Sequence, residues 1–599
     1  MATLVSGLER RAPFDREPDR VVERTIYDTF DWRLHAEGTV LEHEREVPIP
    51  PARGGRLPQV ARPALVWRAA DTGEVLGRIV VDHVPRFASA LPDGPIAERL
   101  ADILEMRALL PLVTVRDHQS ALRLLDDEGK TQARVLIDQA TVLEPDLEPG
   151  GADGAPGPDA SDGDGGDTGD GDGGDESDTA SAYEPAHAAE PTDPRSPRID
   201  PMVEVLPVRG YPRAADEVAD LLAAQVVLRP ADRDVVAEAL HRVGLHPGGY
   251  SSKLKVRLDP ASTALDVVVA VLEALLAAMV VNEPGTRADT DSEFLHDFRV
   301  AVRRSRSVLG FAKGVVPADL LDHLRAEFKW LGDITTPTRD LDVYLLTYDD
   351  FEGSLPDPIQ PDLHPLKSFL VEQQALAHAE LVANLDSIRY AELLQRYRSW
   401  LADPTAVPGN APEAQVPATE FAASRVWKAY RSLVKDGRRI TDDTPPPQVH
   451  ELRKDGKKLR YALECFAGLF PAEDVAPLVK ELKGVQDVLG DFQDAEVQKD
   501  SLRHFGEALV VERGPAAATT LLAMGYLIEQ LDEREQRARA QFAHRFERFD
   551  AHHNRVRFRR LFAPARPEHD PPGEPSPGSG DSAEHAEGPT GAHDSRTSG

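Results

Sequence analysis

The feature that most limits how this chain can fold is an internal repeat. His296-Asp-Phe-Arg-Val-Ala-Val-Arg-Arg-Ser-Arg306 returns 154 positions later as His450-Glu-Leu-Arg-Lys-Asp-Gly-Lys-Lys-Leu-Arg460, with His, Arg, two adjacent cations and Arg in register. The same offset pairs Phe328-Lys329 with Leu482-Lys483, Asp340 with Asp494 and Asp342 with Glu496, so about 45 residues align without a gap. Beyond Ala214 the apolar residues recur with the period of a helix, so the repeat is predicted to be two copies of one helical unit packed about a pseudo-twofold axis. Long helices are expected at 262–281, 291–313, 318–334, 339–349, 365–401, 418–440, 447–469, 473–489, 491–511 and 514–562. Breaks are expected at Glu283-Pro-Gly285 and Pro337.

On a helix, His296, Arg299, Arg303 and Arg306 fall on one stripe, while Leu295, Phe298, Val302 and Leu309 fall on a neighbouring one. The second copy repeats the arrangement with His450, Arg453, Lys457 and Arg460 against Leu452, Leu459 and Leu463. A third helix offers Arg425, Lys428, Arg431, Lys435 and Arg438. The ordinary explanation of a charged stripe is a solvated face. Such a face needs no fixed pattern, and a stabilised one interleaves Glu at i, i+4, which these rows largely lack. Cations gathered in this way point to a multivalent anion, with Arg making bidentate phosphate contacts and Lys a point charge. The candidate binding residues are His296, Arg299, Arg303, Arg304, Arg306, Arg431, Lys435, His450, Arg453, Lys454, Lys457, Lys458 and Arg460. His296 and His450 read better as interface histidines than as acid/base groups. Asp340/Asp342 and Asp494/Glu496 read better as salt-bridge partners of Arg339 or of neighbouring helices than as metal ligands.

These residues carry a resemblance. The motif from His296 to Arg306, the Arg339-Asp340-Leu-Asp342-Val343 that follows, and His450 to Tyr461 resemble the two halves of a CHAD domain, over about residues 255–562. The resemblance implies an all-helical domain of two four-helix bundles around a basic cavity that binds inorganic polyphosphate, with localisation at polyphosphate granules.

Residues 20–145 alternate in the manner of antiparallel strands, as in Thr39-Val-Leu-Glu-His-Glu, Ala64-Leu-Val-Trp-Arg, Val75 to Asp82, Ala121 to Leu125 and Ala133 to Asp138, with a helical stretch at 98–110. Tyr27-Asp28-Thr29, Arg33-Leu34, Gly38 to Leu41, Val135 to Asp138, Met202 to Val205 and Ser252-Lys253-Leu254 are similar to elements of a CYTH domain, the triphosphate tunnel fold. The fold class expected is therefore α+β: an antiparallel β-barrel-like first domain, then an all-α domain of two pseudo-symmetric bundles. Active CYTH members carry Glu-x-Glu-x-Lys near the start, with carboxylates for the metal and Lys for phosphate. This chain has no such triplet, and Glu9-Arg10-Arg11 does not fit. Glu42, Glu44 and Asp82 are the remaining acids that could hold magnesium, although nothing in their spacing requires it.

The length of 599 residues demands several domains. Residues 1–145 and 201–254 are expected to form the CYTH-like domain, 146–200 an acidic Gly/Asp-rich disordered linker, 255–562 the CHAD-like domain and 563–599 a disordered tail. The net charge of −33 argues against a polyanion partner until its distribution is considered. Residues 151–200 hold 14 acids against Arg195 and Arg198, so this segment carries −12 of the total. A single cysteine, Cys465, excludes a disulfide framework and fits a cytoplasmic setting, and the apolar stretch Ala264 to Val281 contains Asp266 and Glu273, as in a buried bundle helix. The expected function is non-enzymatic polyphosphate binding, without a cofactor and without a membrane partner. The alternatives are a metal-dependent triphosphate hydrolase, disfavoured by the missing triplet, and a nucleic-acid binder, disfavoured by the charge and by the lack of aromatics among the cations.

Overall fold

The computed structural model describes residues 8, 12–49, 60–143, 198–208, 210–223, 228–252, 254, 256–407, 409–441 and 443–564. Glu9-Arg10-Arg11, Lys253 and nearly all of the acidic linker and the tail lie outside the described residues.

The first domain is one antiparallel sheet. Its strands are β1 (Phe14–Arg16), β2 (Arg20–Asp28), β3 (Thr39–Val47), β4 (Ala64–Ala69), β5 (Val75–Val80), β6 (Leu110–Leu125), β7 (Thr131–Leu143) and β8 (Met202–Pro207). They are ordered β5-β4-β3-β2-β6-β7-β8, with β1 on β6, and curl into a half-barrel. Alternation in register gives the faces different chemistry. Tyr27, Leu41, Leu65, Trp67 and Ile79 pack on α2 (Pro95–Leu104), while Arg24, Glu42, Glu44, Arg68, Arg78, Asp117 and Asp138 share the opposite face. The remaining helices of this half are α1 (Arg33–Ala36), α3 (Pro212–Ala223) and α4 (Val235–Arg242), the last capped by Asp234.

The second domain is helical throughout: α5 (Ala264–Arg287), α6 (Ser292–Phe311), α7 (Ala318–Ile334), α8 (Thr336–Leu346), α9 (Tyr348–Gly353), α10 (His364–Leu385), α11 (Ile388–Ala402), α12 (Ala418–Gly437), α13 (Pro446–Phe466), α14 (Ala472–Arg513), α15 (Ala518–Phe549) and α16 (His552–Phe562). The repeat is wider than the motif that revealed it, because adding the offset of 154 to the starts of α5, α6 and α7 gives the starts of α12, α13 and α14. Two contacts join residues to their own copies. Thr263 bridges Pro417, flanked by reciprocal hydrogen bonds from Ala264 N to Val416 O (2.8 Å) and from Ala418 N to Ser262 O (2.9 Å). Tyr344 donates to the carbonyl of Gln498 at 3.4 Å. A pair that touches its own equivalent marks the twofold axis.

Four expected boundaries move. Ser387 caps α11 and splits the 365–401 helix, whereas 473–489 and 491–511 are one helix. The 514–562 segment divides into α15 and α16. Pro284 does not end α5, which continues to Arg287. Proline removes one backbone donor there, but Arg287 holds the last turn through Glu283 (2.8 Å), Asp386 (2.6 Å) and the Leu385 carbonyl (2.8 Å). α5 is long and apolar enough to cross a membrane by composition, and its Val267, Val268, Val271, Leu272, Leu275 and Met279 are buried in the bundle core.

Candidate functional site

α6 starts at Asp291, whose carboxylate caps the amides of Glu293 and Phe294, and α13 starts on Pro445-Pro446. Both helices bury their apolar stripe, with Phe298 and its equivalent Leu452 inaccessible. Their polar sides enclose a cavity of about 430 Å³. His296, Arg303 and Arg304 enter it from the first copy, and Arg453, Lys457 and Arg460 from the second. Asp297, Glu464, Asp487, Gln486, Tyr461, Val300 and Ser252 complete the wall.

Arg303 and Lys457 occupy the same position in the two repeats, and neither has an ion-pair partner among the described residues. Arg303 lies over the Tyr461 ring at 5.8 Å. The other cavity cations are paired, contrary to the expectation of rows without carboxylates. Arg304 (3.3 Å) and Arg460 (2.5 Å) both hold Glu464, and Arg453 holds Asp494 at 3.1 Å. The missing i, i+4 acids were supplied by Glu464, just past the end of the motif, and by neighbouring helices.

The remaining candidates are not brought into the cavity wall. Arg299 donates to Thr335 Oγ1 (2.7 Å), Thr336 Oγ1 (3.0 Å) and the Gly332 carbonyl (3.3 Å), at the break between α7 and α8. Arg306 packs beside Gly332. Pro337 sets that break at the start of α8. The second copy has Leu489, Gly490 and Asp491 there in a continuous helix, so Arg453 has no such hydroxyl trap and faces the cavity. His450 hydrogen-bonds Gln493, Lys454 binds Glu451 at 2.8 Å and Lys458 is exposed. On α12, Arg431 and Lys435 are exposed away from the cavity, Arg425 caps the carbonyls of Phe311 and Lys313, and Arg438 pairs with Asp550 at 2.7 Å. The third row therefore contributes no residue to the cavity wall.

The four acids disperse. Asp342 accepts from Gln374 (3.0 Å), Asp494 from Arg453 and Glu496 from Gln493 (3.3 Å), while Asp340 lies in the field of Arg299. Arg339 pairs instead with Glu293 at 3.7 Å. Among the described residues no group of three or more His, Cys, Asp or Glu is arranged to hold a metal.

Burial, reinforced by Arg339, Arg303, Arg107 and Arg299, pushes His296 down to about 4, so it is neutral at pH 7. Burial together with Arg453 and Arg303 pushes Lys457 down to about 8. Burial and the repulsion of Arg303 and Arg339 outweigh the attraction of Asp340 at Arg299, which falls to about 10. These shifts report cations crowded in a partly dehydrated space.

The family model of the CHAD domain matches residues 270–503, which contain every cation of the cavity. Residues 270–503 are a CHAD domain. Over 286 residues the chain is 27% identical to Uncharacterized protein Rv2226 of Mycobacterium tuberculosis (strain ATCC 25618 / H37Rv), covering 45% of this chain and 53% of that protein. It is 26% identical, with the same coverage, to Uncharacterized protein MT2285 of Mycobacterium tuberculosis (strain CDC 1551 / Oshkosh). The chain thus spans about half the length of the curated relatives it matches. Among solved structures, the CHAD domain from the plant Ricinus communis aligns with a TM-score of 0.42 and 25% identity, covering 50% of this chain and 96% of that one. PptA from Streptomyces chartreusis aligns with a TM-score of 0.37 and 17% identity, covering 48% and 100%.

The half-barrel in front of the CHAD domain is consistent with a CYTH-like fold. The acids considered for magnesium do not fit that role. Glu42 lies between Arg24 (3.7 Å) and Arg68 (3.1 Å), Glu44 between Arg68 (2.5 Å) and Arg78 (3.3 Å), and Asp82 faces Arg62 at 3.9 Å. A carboxylate already matched by guanidinium groups is a poor ligand for a hard cation.

Asp297, Glu464, Gln486 and Asp487 line the cavity without being among the residues expected from the sequence. Asp297 follows His296 inside the motif and Glu464 lies four residues past Arg460, which is the available signal.

Proposed function

We propose that the CHAD domain binds inorganic polyphosphate in the cavity between α6 and α13. The observation that supports this most directly is the pair Arg303 and Lys457: equivalent residues of two repeats, turned into one cavity without carboxylate partners among the described residues. Cations held together at the expense of their own hydration are stabilised by an anion that contacts several at once. A chain of phosphates meets that requirement and needs no base-stacking surface. The paired acids of the half-barrel support a binding function over hydrolysis.

The test is retention of the full chain on immobilised polyphosphate, with RNA as competitor, and an assay for phosphate release from tripolyphosphate. Binding resistant to excess RNA is expected, with affinity falling on the order of tenfold or more between about 50 and about 200 mM salt, because counterion release drives such binding. Displacement by RNA at equal phosphate concentration would favour the nucleic-acid reading. Robust metal-dependent phosphate release would favour the hydrolase.

Affinity should also depend on pH through Lys457. Its ammonium is charged in the free protein below about 8, and an adjacent phosphate raises that value. Affinity should therefore be level near neutrality and fall as pH rises through about 8 to 10, where binding must take up a proton. Lys457→Arg should remove this alkaline decline, and a decline unchanged in that variant would refute the assignment. The unliganded protein should show the opposite trend. A lysine whose folded value lies below its ordinary 10.5 destabilises the fold while charged, so stability is gained between about 8 and 10.5.

A further inference from the structure

The two domains meet on a buried guanidinium. Arg107, in the turn between α2 and β6, is 1% exposed. It reaches Asp31 of its own domain at 3.4 Å, and Asp291 (3.2 Å) and Asp297 (2.9 Å) of α6. The next residue donates as well, from Ala108 N to Asp291 at 3.0 Å. Around this contact, Phe30 packs on Phe294 and Tyr250 with ring centres 4.6 Å away, and Arg86 donates to the carbonyls of Asp289 and Thr290. Gly285 makes room for Phe294, whose ring stands 2.3 Å from where a Cβ would lie.

Both α6 acceptors bear on the cavity. Asp291 caps the helix that carries the first cationic row. Asp297 follows His296 and forms part of the cavity wall. That wall holds four arginines, Lys457 and three carboxylates. Glu464 is matched inside the CHAD domain by Arg304 and Arg460. Asp297 accepts a neutral hydrogen bond from Tyr250 (3.0 Å), and among the described residues its ion-pair partner is Arg107. The CHAD domain thus takes one counter-charge of its cavity from the other domain.

We infer that Arg107 is a positioning residue of the polyanion cavity, and that the half-barrel domain serves the CHAD domain by neutralising Asp297 and clamping the start of α6. This rests on the polyphosphate reading. Without Arg107, Asp297 would present an uncompensated negative charge to incoming phosphates and the helix cap would lose a tether. Domain docking and polyanion binding would then favour each other, and the coupling is reciprocal by linkage.

The experiment measures polyphosphate binding by the full chain carrying Arg107→Met, Asp297→Asn, or both, with thermal melts as the folding control. Arg107→Met should weaken binding at least about tenfold while leaving the salt dependence unchanged, since Arg107 itself touches no ligand. The double variant should recover at least about threefold of that loss, because Asp297 no longer needs a partner, while the tether to Asp291 stays broken. Asp297→Asn alone should bind more tightly than wild type, since the cavity wall then loses a negative charge while Arg107 stays paired with Asp31 and Asp291, and this variant reads the same effect if Arg107→Met melts too low to assay. Unchanged affinity in Arg107→Met, no recovery in the double variant, or weaker binding in Asp297→Asn would each overturn the inference while leaving the polyphosphate reading intact. Wild-type protein that fails to bind would overturn both.

Discussion

Charge reversal at Arg303 and Lys457 should each lower polyphosphate affinity at least about tenfold, and the double reversal should lower it by at least about a hundredfold. A charge-assisted contact to phosphate is worth about 1.5–3 kcal/mol, and each reversal also adds a repulsive charge. The positions are equivalent in the two repeats and face one cavity, so losses of similar size from both are the signature of a shared site. Lys329→Glu, on an exposed side chain paired only locally with Asp333, is the control and should change affinity little. Folding should survive. Neither cavity residue has an ion-pair partner among the described residues, so a reversal breaks no salt bridge and relieves repulsion from Arg453 or its neighbours. The melting temperature should be equal or higher. Loss of binding from only one of the two variants, or unfolding of either, would show that these side chains support the fold and that the cavity is not one site.

The residues beneath the same helices should behave in the opposite way. Phe298 and Leu452 are also equivalent positions, at 0% and 1% exposure in the shared core. Phe298→Ala should cost about 3–5 kcal/mol and Leu452→Ala about 2–5 kcal/mol, because each leaves a cavity its neighbours cannot fill. At about 2–4 °C per kcal/mol the melting transition should fall by roughly 5–20 °C. Polyphosphate, which binds the folded state, should recover part of that loss in a concentration-dependent manner. A large loss of binding with an unchanged melting temperature would mean that these side chains act on the ligand and that the cationic row has been placed on the wrong face.

Much of the architecture was legible because it is written in local periodicity. The apolar stripes that place Phe298 and Leu452 inside need only the helical repeat, and the 154-residue offset announces two related units before any packing is known. The half-barrel was similarly readable from alternation in β3, β4 and β7. Two of the misplaced boundaries were decided by the hydrogen bonds of a single side chain. Pro284 reads as a breaker until Arg287 is seen to hold the turn beyond it, and Ser387 reads as mid-helix until its hydroxyl is seen to accept from Tyr390 N.

The sequence by itself determined that this chain repeats a helical unit bearing cations beside an apolar stripe, since side-chain type and spacing decide which residues share a helix face. Which cations face a common space was decided only by tertiary structure. Arg299 and Arg453 are equivalent in sequence, yet Pro337 breaks one copy and the hydroxyls of Thr335 and Thr336 at the break hold Arg299, while the unbroken α14 leaves Arg453 to the cavity. Whether a cation is free or matched depends on residues far along the chain, as Glu464 for Arg304 and Asp297 for Arg107 show. Electrostatic energy depends on distance in space and on local hydration, and neither is a property of sequence spacing.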